Sequence, residues 1–82
     1  MDYSVYILFS ESCQKFYTGH TQDLNNRMVE HNSGETKSIK SCIPWTLIWQ
    51  SAVSTRSEAM TIEKKIKARG AKRFLADLNI DF

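Results

Sequence analysis

Hydrophobic and polar residues alternate near the start of the chain, and this pattern predicts a β-strand over Tyr3–Ser10. The side chains of alternate residues would lie on opposite sheet faces, with Tyr3, Val5, Ile7 and Phe9 on one and Ser4, Tyr6 and Leu8 on the other. We therefore expect the strand to be buried on much of both faces. After a polar break, residues 15–20 regain strand character, which predicts an antiparallel hairpin with Tyr6 opposite Tyr17.

A helical period replaces the alternation after residue 20. Thr21 or Asp23 is the candidate N-cap, and the residues that then share one helical face are Leu24, Arg27, Met28 and His31. The sequence Asn-Ser-Gly at 32–34 is typical of a helix end, because glycine accepts the left-handed backbone conformation. Residues 35–43 are polar and predict a loop.

The second half of the chain predicts one more strand and a well-capped helix. Pro44 and Trp45 precede a strand over Thr46–Val53, with Leu47 and Trp49 expected on one face and Ile48 and Gln50 on the other. Residues 55–58 (Thr-Arg-Ser-Glu) form a capping box, which predicts a helix to about residue 69 that buries Ala59, Ile62 and Ile66. Gly70 ends it, and a short tail helix over 71–78 follows.

Length and composition are those of one small folded unit. The 82 residues are 41% hydrophobic and 24% charged, so we expect one α+β domain over 1–82 with a thin core. The formal net charge of +2 permits an anionic partner without requiring one. Because the chain lacks both a 20-residue apolar span and a secretory signal, we expect a cytoplasmic protein without membrane contact. Cys13 and Cys42 lack zinc-site spacing and are expected to be reduced thiols, although one bridge is possible.

Three groups of polar residues are candidates for chemistry. Glu63 falls at the edge of the buried helical stripe, where it would either pair with Lys67 or bind a metal ion. Arg27 and His31 lie one helical turn apart and would place a permanent charge beside a group that exchanges protons near neutral pH. Tyr6 and Tyr17 would be either core residues or hydroxyl donors at the sheet edge.

The order of these residues resembles the GIY-YIG nuclease family over nearly the whole chain. The matching residues are Ser4-Val5-Tyr6, Tyr17-Thr18-Gly19, Thr21, Asp23-Leu24, Arg27, His31, Ala59, Glu63 and Ile66-Lys67. The chain looks most like the small stand-alone bacterial (UPF0213-like) members, which share the His-Asn-x-Gly helix end and the Pro-Trp pair. Ser4 and Thr18 depart from the glycine and the isoleucine of the two motifs.

The resemblance implies a three-stranded antiparallel sheet flanked by helices, in the order β-β-α-β-α, and a site that cleaves phosphodiester bonds. The implied catalytic residues are Tyr6, Tyr17, Arg27, His31 and Glu63. Glu63 would hold Mg²⁺ or Mn²⁺ and Arg27 would stabilise the charge that develops on the phosphate. Tyr6, Tyr17 or His31 would take the proton from water, and these three alternatives stay open. Asn79 is a further candidate near the metal.

Gly19 and the basic residues complete the predicted site. Without a side chain, Gly19 would let the substrate or a helix approach the end of the strand closely. The cations predicted to contact nucleic acid are Lys40, Lys67, Arg69 and Lys72. A solvated helix face is the more common meaning of such a basic run.

The leading hypothesis is a metal-dependent endonuclease that acts on DNA in repair, recombination or defence. An alternative is a nucleic-acid-binding module on the same scaffold with little or no cleavage, and a third is a scaffold for protein contacts. Because the chain has no room for a separate recognition domain, a homodimer or a protein partner would enlarge its binding surface.

Overall fold

A computed structural model of the chain describes residues 2–33 and 41–80, which form strands and helices in the order β-β-α-β-α-α. The strands are β1 (Tyr3–Ser10), β2 (Lys15–Thr21) and β3 (Thr46–Val53). The helices are α1 (Leu24–Ser33), α2 (Arg56–Arg69) and α3 (Ala71–Asp77). The predicted α+β fold and its element order are confirmed. Within these two ranges, every helix is too short or too polar to traverse a lipid bilayer.

The sheet is built around β1, which pairs antiparallel with β2 on one side and with β3 on the other. Its side chains alternate between two packed layers, as predicted. On one face, Val5 and Ile7 pack against α2 and α3 through Ala59, Ile66 and Leu75. The opposite face carries Tyr6 and Leu8, which pack with Trp45 and with side chains of α1. Burial of β1 on both faces makes it the centre of the fold.

The register between β1 and β2 differs from the prediction. Tyr6 lies opposite Gly19, and Tyr17 lies opposite Leu8, so the expected pairing of the two tyrosines is wrong. The cause is the turn, which uses residues 11–14 because Ser10 pairs with Lys15. A shift of two residues preserves side-chain parity, so the two tyrosines still share a sheet face as diagonal neighbours.

Strand β3 contains a β-bulge, which changes the sheet face on which its side chains lie. Ile7 pairs with Trp49 and Leu8 pairs with Leu47, so Ile48 has no partner in the register. Ile48 and Trp49 both pack on the face covered by α2 and α3, whereas Leu47 packs on the face covered by α1. The prediction that Leu47 and Trp49 share a face is therefore wrong, because a β-bulge reverses side-chain parity.

The starts of α1 and α2 and the end of α2 follow the capping pattern predicted from the sequence, whereas Gly34, the predicted end of α1, lies outside the described residues. The carboxylate of Asp23 accepts a hydrogen bond of 3.1 Å from the backbone N–H of Asn26 at the start of α1. At the start of α2, the Thr55 hydroxyl accepts one of 3.1 Å from the backbone N–H of Glu58. Gly70 has a positive φ of 91° and separates α2 from α3, which matches its predicted role as a helix stop.

The C-terminal end of α1 is tied to the start of β3 by one asparagine. The Asn32 side chain donates to the backbone oxygen of Trp45 at 3.1 Å and accepts from its backbone N–H at 2.6 Å. These two bonds satisfy both backbone groups of Trp45, which is itself 4% exposed. They join the two segments on either side of residues 34–40, and so hold α1 over its sheet face.

The two cysteines form a disulfide bond, which corrects the expectation of reduced thiols. The Cys13–Cys42 bridge spans 29 residues and connects the β1–β2 turn to the segment before β3. The hydroxyl of the buried Ser10 donates to the Cys42 backbone oxygen at 2.6 Å and accepts from the Cys13 backbone N–H at 3.2 Å. The same two segments are thus linked twice, once covalently and once by hydrogen bonds. Sequence spacing alone could not show that they meet.

We predict that reducing this bridge destabilises the fold by about 3–4 kcal/mol, because opening a loop of this length restores conformational entropy to the unfolded chain. Urea unfolding with and without a phosphine reductant measures the loss. The Cys13→Ser, Cys42→Ser double variant is the matched control and should show no response to the reductant. Equal stability of the oxidised and reduced wild type would contradict the prediction.

Candidate active site

The ring of Tyr6 lies in space that a side chain on the neighbouring strand would otherwise fill. An ideal Cβ placed on Gly19 would lie 2.7 Å from the Tyr6 hydroxyl oxygen and 2.9 Å from its Cζ. The same Cβ would lie 3.3 Å from Cε1 of Tyr17. Gly19 is therefore required by the packing of the two tyrosines. The prediction named the substrate or a helix as the group that approaches Gly19, whereas the structure places the Tyr6 phenol against it.

Tyr6, Tyr17 and His31 form a compact cluster between the sheet and α1. The Tyr6 hydroxyl lies 3.0 Å from Nε2 of His31. The Tyr17 ring is 6.4 Å from the Tyr6 ring and 5.0 Å from the His31 ring, measured between centroids. Tyr6 and His31 are 2% and 1% exposed, whereas Tyr17 is half-buried. Three of the predicted site residues are thus in contact, and only Tyr17 presents surface to solvent.

Arg27 and Glu63 both influence the charge state of Tyr6. Burial raises the pKa of the Tyr6 hydroxyl above its ordinary value, and Tyr17 and the carboxylate of Glu63 raise it further. The guanidinium of Arg27 lowers this pKa, but the effect of burial is larger. Tyr6 is therefore a neutral phenol at physiological pH. The opposing effects also place Arg27 of α1 and Glu63 of α2 within electrostatic range of the same hydroxyl.

His31 is a buried neutral imidazole. Burial lowers its pKa below the ordinary value, and the neighbouring charge of Arg27 lowers it further, with Glu30 opposing. Its Nδ1 atom is buried without a hydrogen-bond partner in residues 2–33 and 41–80. In the tautomer that carries its proton on Nδ1, Nε2 accepts a hydrogen bond from Tyr6. His31 is thus linked to the surface through the tyrosines.

Glu63 is held at the edge of the sheet by two donors. Its Oε1 lies 3.0 Å from Nδ1 of His20, and its Oε2 accepts a bond of 3.3 Å from Nζ of Lys67. The predicted pair with Lys67 is therefore present. His20 was not predicted to belong to the site, although it directly follows Gly19 in the second motif. Strand alternation could have indicated its role. Side chains of successive strand residues lie on opposite faces, so His20 lies on the face opposite to that of Tyr17 and Gly19, which is the face covered by α2.

The residues around Glu63 are compatible with one divalent ion. No group of three or more His, Cys, Asp or Glu side chains converges anywhere in the described part of the chain, so a closed protein cage is excluded there. Mg²⁺ does not need one, because it retains several waters and binds substrate phosphate beside one or two protein carboxylates. Glu63 is 19% exposed and its partner Lys67 is mostly exposed, so this lysine can move aside. The donor set therefore fits Mg²⁺ or Mn²⁺ and not a structural zinc ion.

The predicted nucleic-acid-binding cations have different surroundings. Lys67 lies beside the site on α2, and Lys72 is exposed on α3. Arg69 makes two hydrogen bonds to the carboxylate of Asp77, at 2.9 and 3.0 Å, which orient its guanidinium toward α3. Lys40 lies outside the described residues. Asn79 follows α3 in a turn with a positive φ of 63°.

Comparison with known proteins supports the resemblance read from the motifs. Residues 2–75 match the family described as the GIY-YIG catalytic domain. A UPF0213 protein of Haloquadratum walsbyi is 35% identical over 98% of this chain and 93% of its own length. A UPF0213 protein of Staphylococcus epidermidis is 40% identical over 62% of this chain and 63% of its own length. The names of these relatives state no reaction or substrate.

A solved structure shares the fold. The solution NMR structure of a UPF0213 protein from Bacillus halodurans is 33% identical to this chain and superposes with a TM-score of 0.58. The match covers 95% of this chain and 85% of that protein. The open antiparallel sheet with flanking helices is thus common to both proteins.

We predict that Gly19→Ala destabilises the fold by about 1–3 kcal/mol, because the added methyl group overlaps the Tyr6 phenol. Urea unfolding measures the loss. In a Tyr6→Leu background, which removes the phenol, the same substitution should cost less. An equal cost in the two backgrounds would show that Tyr6 does not determine the space available at Gly19.

Lowering the pH from 7 to 5 should reduce the free energy of unfolding through His31. Its folded-state pKa lies below the unfolded value, so between these two pKa values the unfolded chain binds a proton at His31 and the folded protein does not. The stabilisation is therefore complete above about pH 6.5 and is lost below it, with a slope of at most about 1.4 kcal/mol per pH unit. The His31→Gln variant should have a flatter profile, and parallel profiles would contradict the assignment.

Proposed function

Because this chain belongs to the GIY-YIG catalytic domain family, we propose that it is a metal-dependent endonuclease that hydrolyses phosphodiester bonds in DNA. The observation that carries the proposal is the cluster of Tyr6, Tyr17 and His31 beside Gly19, which lies within the electrostatic influence of Arg27 and Glu63. Tyr6 and Tyr17 both contact this position, and Arg27 and Glu63 both act on the Tyr6 hydroxyl.

In the proposed reaction, Arg27 binds the scissile phosphate. Its guanidinium remains charged at any physiological pH and can present two parallel donors to phosphate oxygens. It is partly exposed, and among the described residues its ion pair is the one with Glu30 at 3.7 Å, so it can engage a substrate. As negative charge develops on the transferred phosphoryl group, this interaction strengthens, which is the requirement for lowering the barrier.

Glu63 is proposed as the metal ligand. When bound there, a divalent ion supplies Lewis-acid stabilisation to the departing oxygen. His20 donates to one carboxylate oxygen and so fixes the orientation of Glu63, whereas the Lys67 ammonium can be displaced from the other. The protein thus contributes one oriented carboxylate on a rigid helix, and the substrate phosphate completes the site.

Tyr17 is proposed as the hydroxyl that contacts the attacking water. Tyr6 and His31 are almost completely buried, so a bulk water molecule does not reach them in this conformation. The Tyr17 hydroxyl makes no hydrogen bond with any described residue, and its ring presents surface to solvent. Tyr6 and His31 support it from beneath. The exposure of Tyr17 supports it over Tyr6 and His31 in this role.

Purified protein with Mg²⁺ or Mn²⁺ should cleave at least one member of a panel of flapped, branched and single-stranded DNA substrates. Glu63→Gln and Arg27→Ala should each lower the rate at least 100-fold, because Glu63 holds the metal ion and the interaction of Arg27 with the phosphate strengthens in the transition state. Tyr17→Phe should lower the rate by a similar factor with little loss of stability. Product formation on denaturing gels measures the rates.

Matched variants separate chemistry from a general loss of charge. Glu11→Gln and Arg73→Ala make the same charge changes on exposed residues and should retain wild-type rates. Equal cleavage by wild type and Glu63→Gln would contradict the proposed mechanism. DNA binding that falls steeply with salt, without metal-dependent product, would favour the alternative of a binding module. A role in DNA repair stays a prediction.

A further inference from the structure

Two surface clefts lie along the outer edge of β2, on either side of Gly19. The first is lined by β2 residues before this glycine, including Lys15 and Tyr17, and by Lys67. The second is lined by residues after it, including His20, and by Arg27 and Arg56. Since β2 is an edge strand of the sheet, no other described strand covers this side. Of the proposed catalytic residues, Tyr17 lines the first cleft and Arg27 lines the second.

Both clefts carry excess positive charge. The first contains the ammonium groups of Lys15 and Lys67 and no acidic side chain. The second contains the guanidinium groups of Arg27 and Arg56 and one acidic residue, Asp23. The Asp23 carboxylate accepts a hydrogen bond from the start of α1. Lys67 is paired with Glu63 and Arg27 with Glu30, so the cations that phosphates would meet unpaired among the described residues are Lys15 in the first cleft and Arg56 in the second.

Of the four cations that line the two clefts, Lys15 and Arg56 are the two without a catalytic role or an ion pair among the described residues. Among the described residues, neither makes an ion pair or a side-chain hydrogen bond, and both are exposed. Lys15 precedes Gly19 by four strand residues, or about 13 Å. Arg56 precedes Glu63 by seven helical residues, or about 10 Å along α2. At these separations from Gly19 and Glu63, each cation is placed to contact a phosphate next to the scissile one.

We propose that one strand of the nucleic acid lies along the edge of β2, with Lys15 and Arg56 binding phosphates on opposite sides of the scissile one. The inference rests on the proposed nuclease function. It adds the path of the substrate strand and the phosphates that Lys15 and Arg56 contact on either side of the cleaved bond. The two contacts would hold the strand extended across Tyr17, Arg27 and Glu63. They also give a small protein two anchoring points outside the reacting phosphate.

Salt-dependent binding tests the two contacts. A labelled single-stranded DNA is titrated with the full chain in EDTA, which prevents cleavage, over a range of salt concentrations. Lys15→Ala and Arg56→Ala should each lower the slope of log K against log salt by about 0.7, the value for one phosphate contact on a single strand. Lys65→Ala and Arg73→Ala make the same charge changes outside both clefts and should leave the slope unchanged.

Oligonucleotides with one uncharged methylphosphonate test the direction. Neutralising a phosphate on one side of the mapped cleavage position should weaken wild-type binding but not that of Lys15→Ala. Neutralising a phosphate on the other side should weaken wild-type binding but not that of Arg56→Ala. If the wild type binds while all four variants behave alike, the strand path is wrong and the nuclease proposal stands. If the wild type does not bind DNA even at low salt, the nuclease proposal itself fails.

Discussion

The position of Tyr6 against Gly19 is the contact on which the rest of the site depends. A glycine on β2 opposite a tyrosine on β1 lets the phenol cross the neighbouring strand and reach His31 of α1. That hydrogen bond joins the sheet to the helix that carries Arg27. A larger residue at position 19 would push the phenol away and loosen all of these positions together. The packing of Tyr6 against Gly19 therefore also determines where α1 places Arg27.

Local patterns in the sequence predicted the elements because their causes are local. Alternation on β1 and the capping box at the start of α2 each depend on residues a few positions apart. The register of β2 was missed by two residues because it depends on the length of the 11–14 turn. The bulge at Ile48 and the pairing of Cys13 with Cys42 depend on which segments meet in space, and no local pattern contains that information.

The candidate site was predictable as a set of residues but not as a set of contacts. The motif resemblance named Tyr6, Tyr17 and His31, and the structure brings these three into one cluster. It did not name His20, whose partner Glu63 is 43 residues away and belongs to another helix. Arg69 shows the converse case. It was predicted to contact phosphate because it lies in a basic run, and in the structure it donates to the carboxylate of Asp77 on α3. Charge alone does not distinguish a free cation from a paired one.

The site separates buried neutral groups from exposed charged ones, and this separation bears on how a metal ion would be accommodated. Tyr6 and His31 are neutral and buried, so they impose no uncompensated charge on the interior. Glu63 stands at the edge with His20 on one oxygen and Lys67 on the other, so its charge is already satisfied without metal. In the proposed enzyme, Glu63 would hold the divalent ion through the oxygen that now accepts from Lys67, and the lysine would move aside. The bond from His20 therefore orients the Glu63 carboxylate independently of the group on its other oxygen.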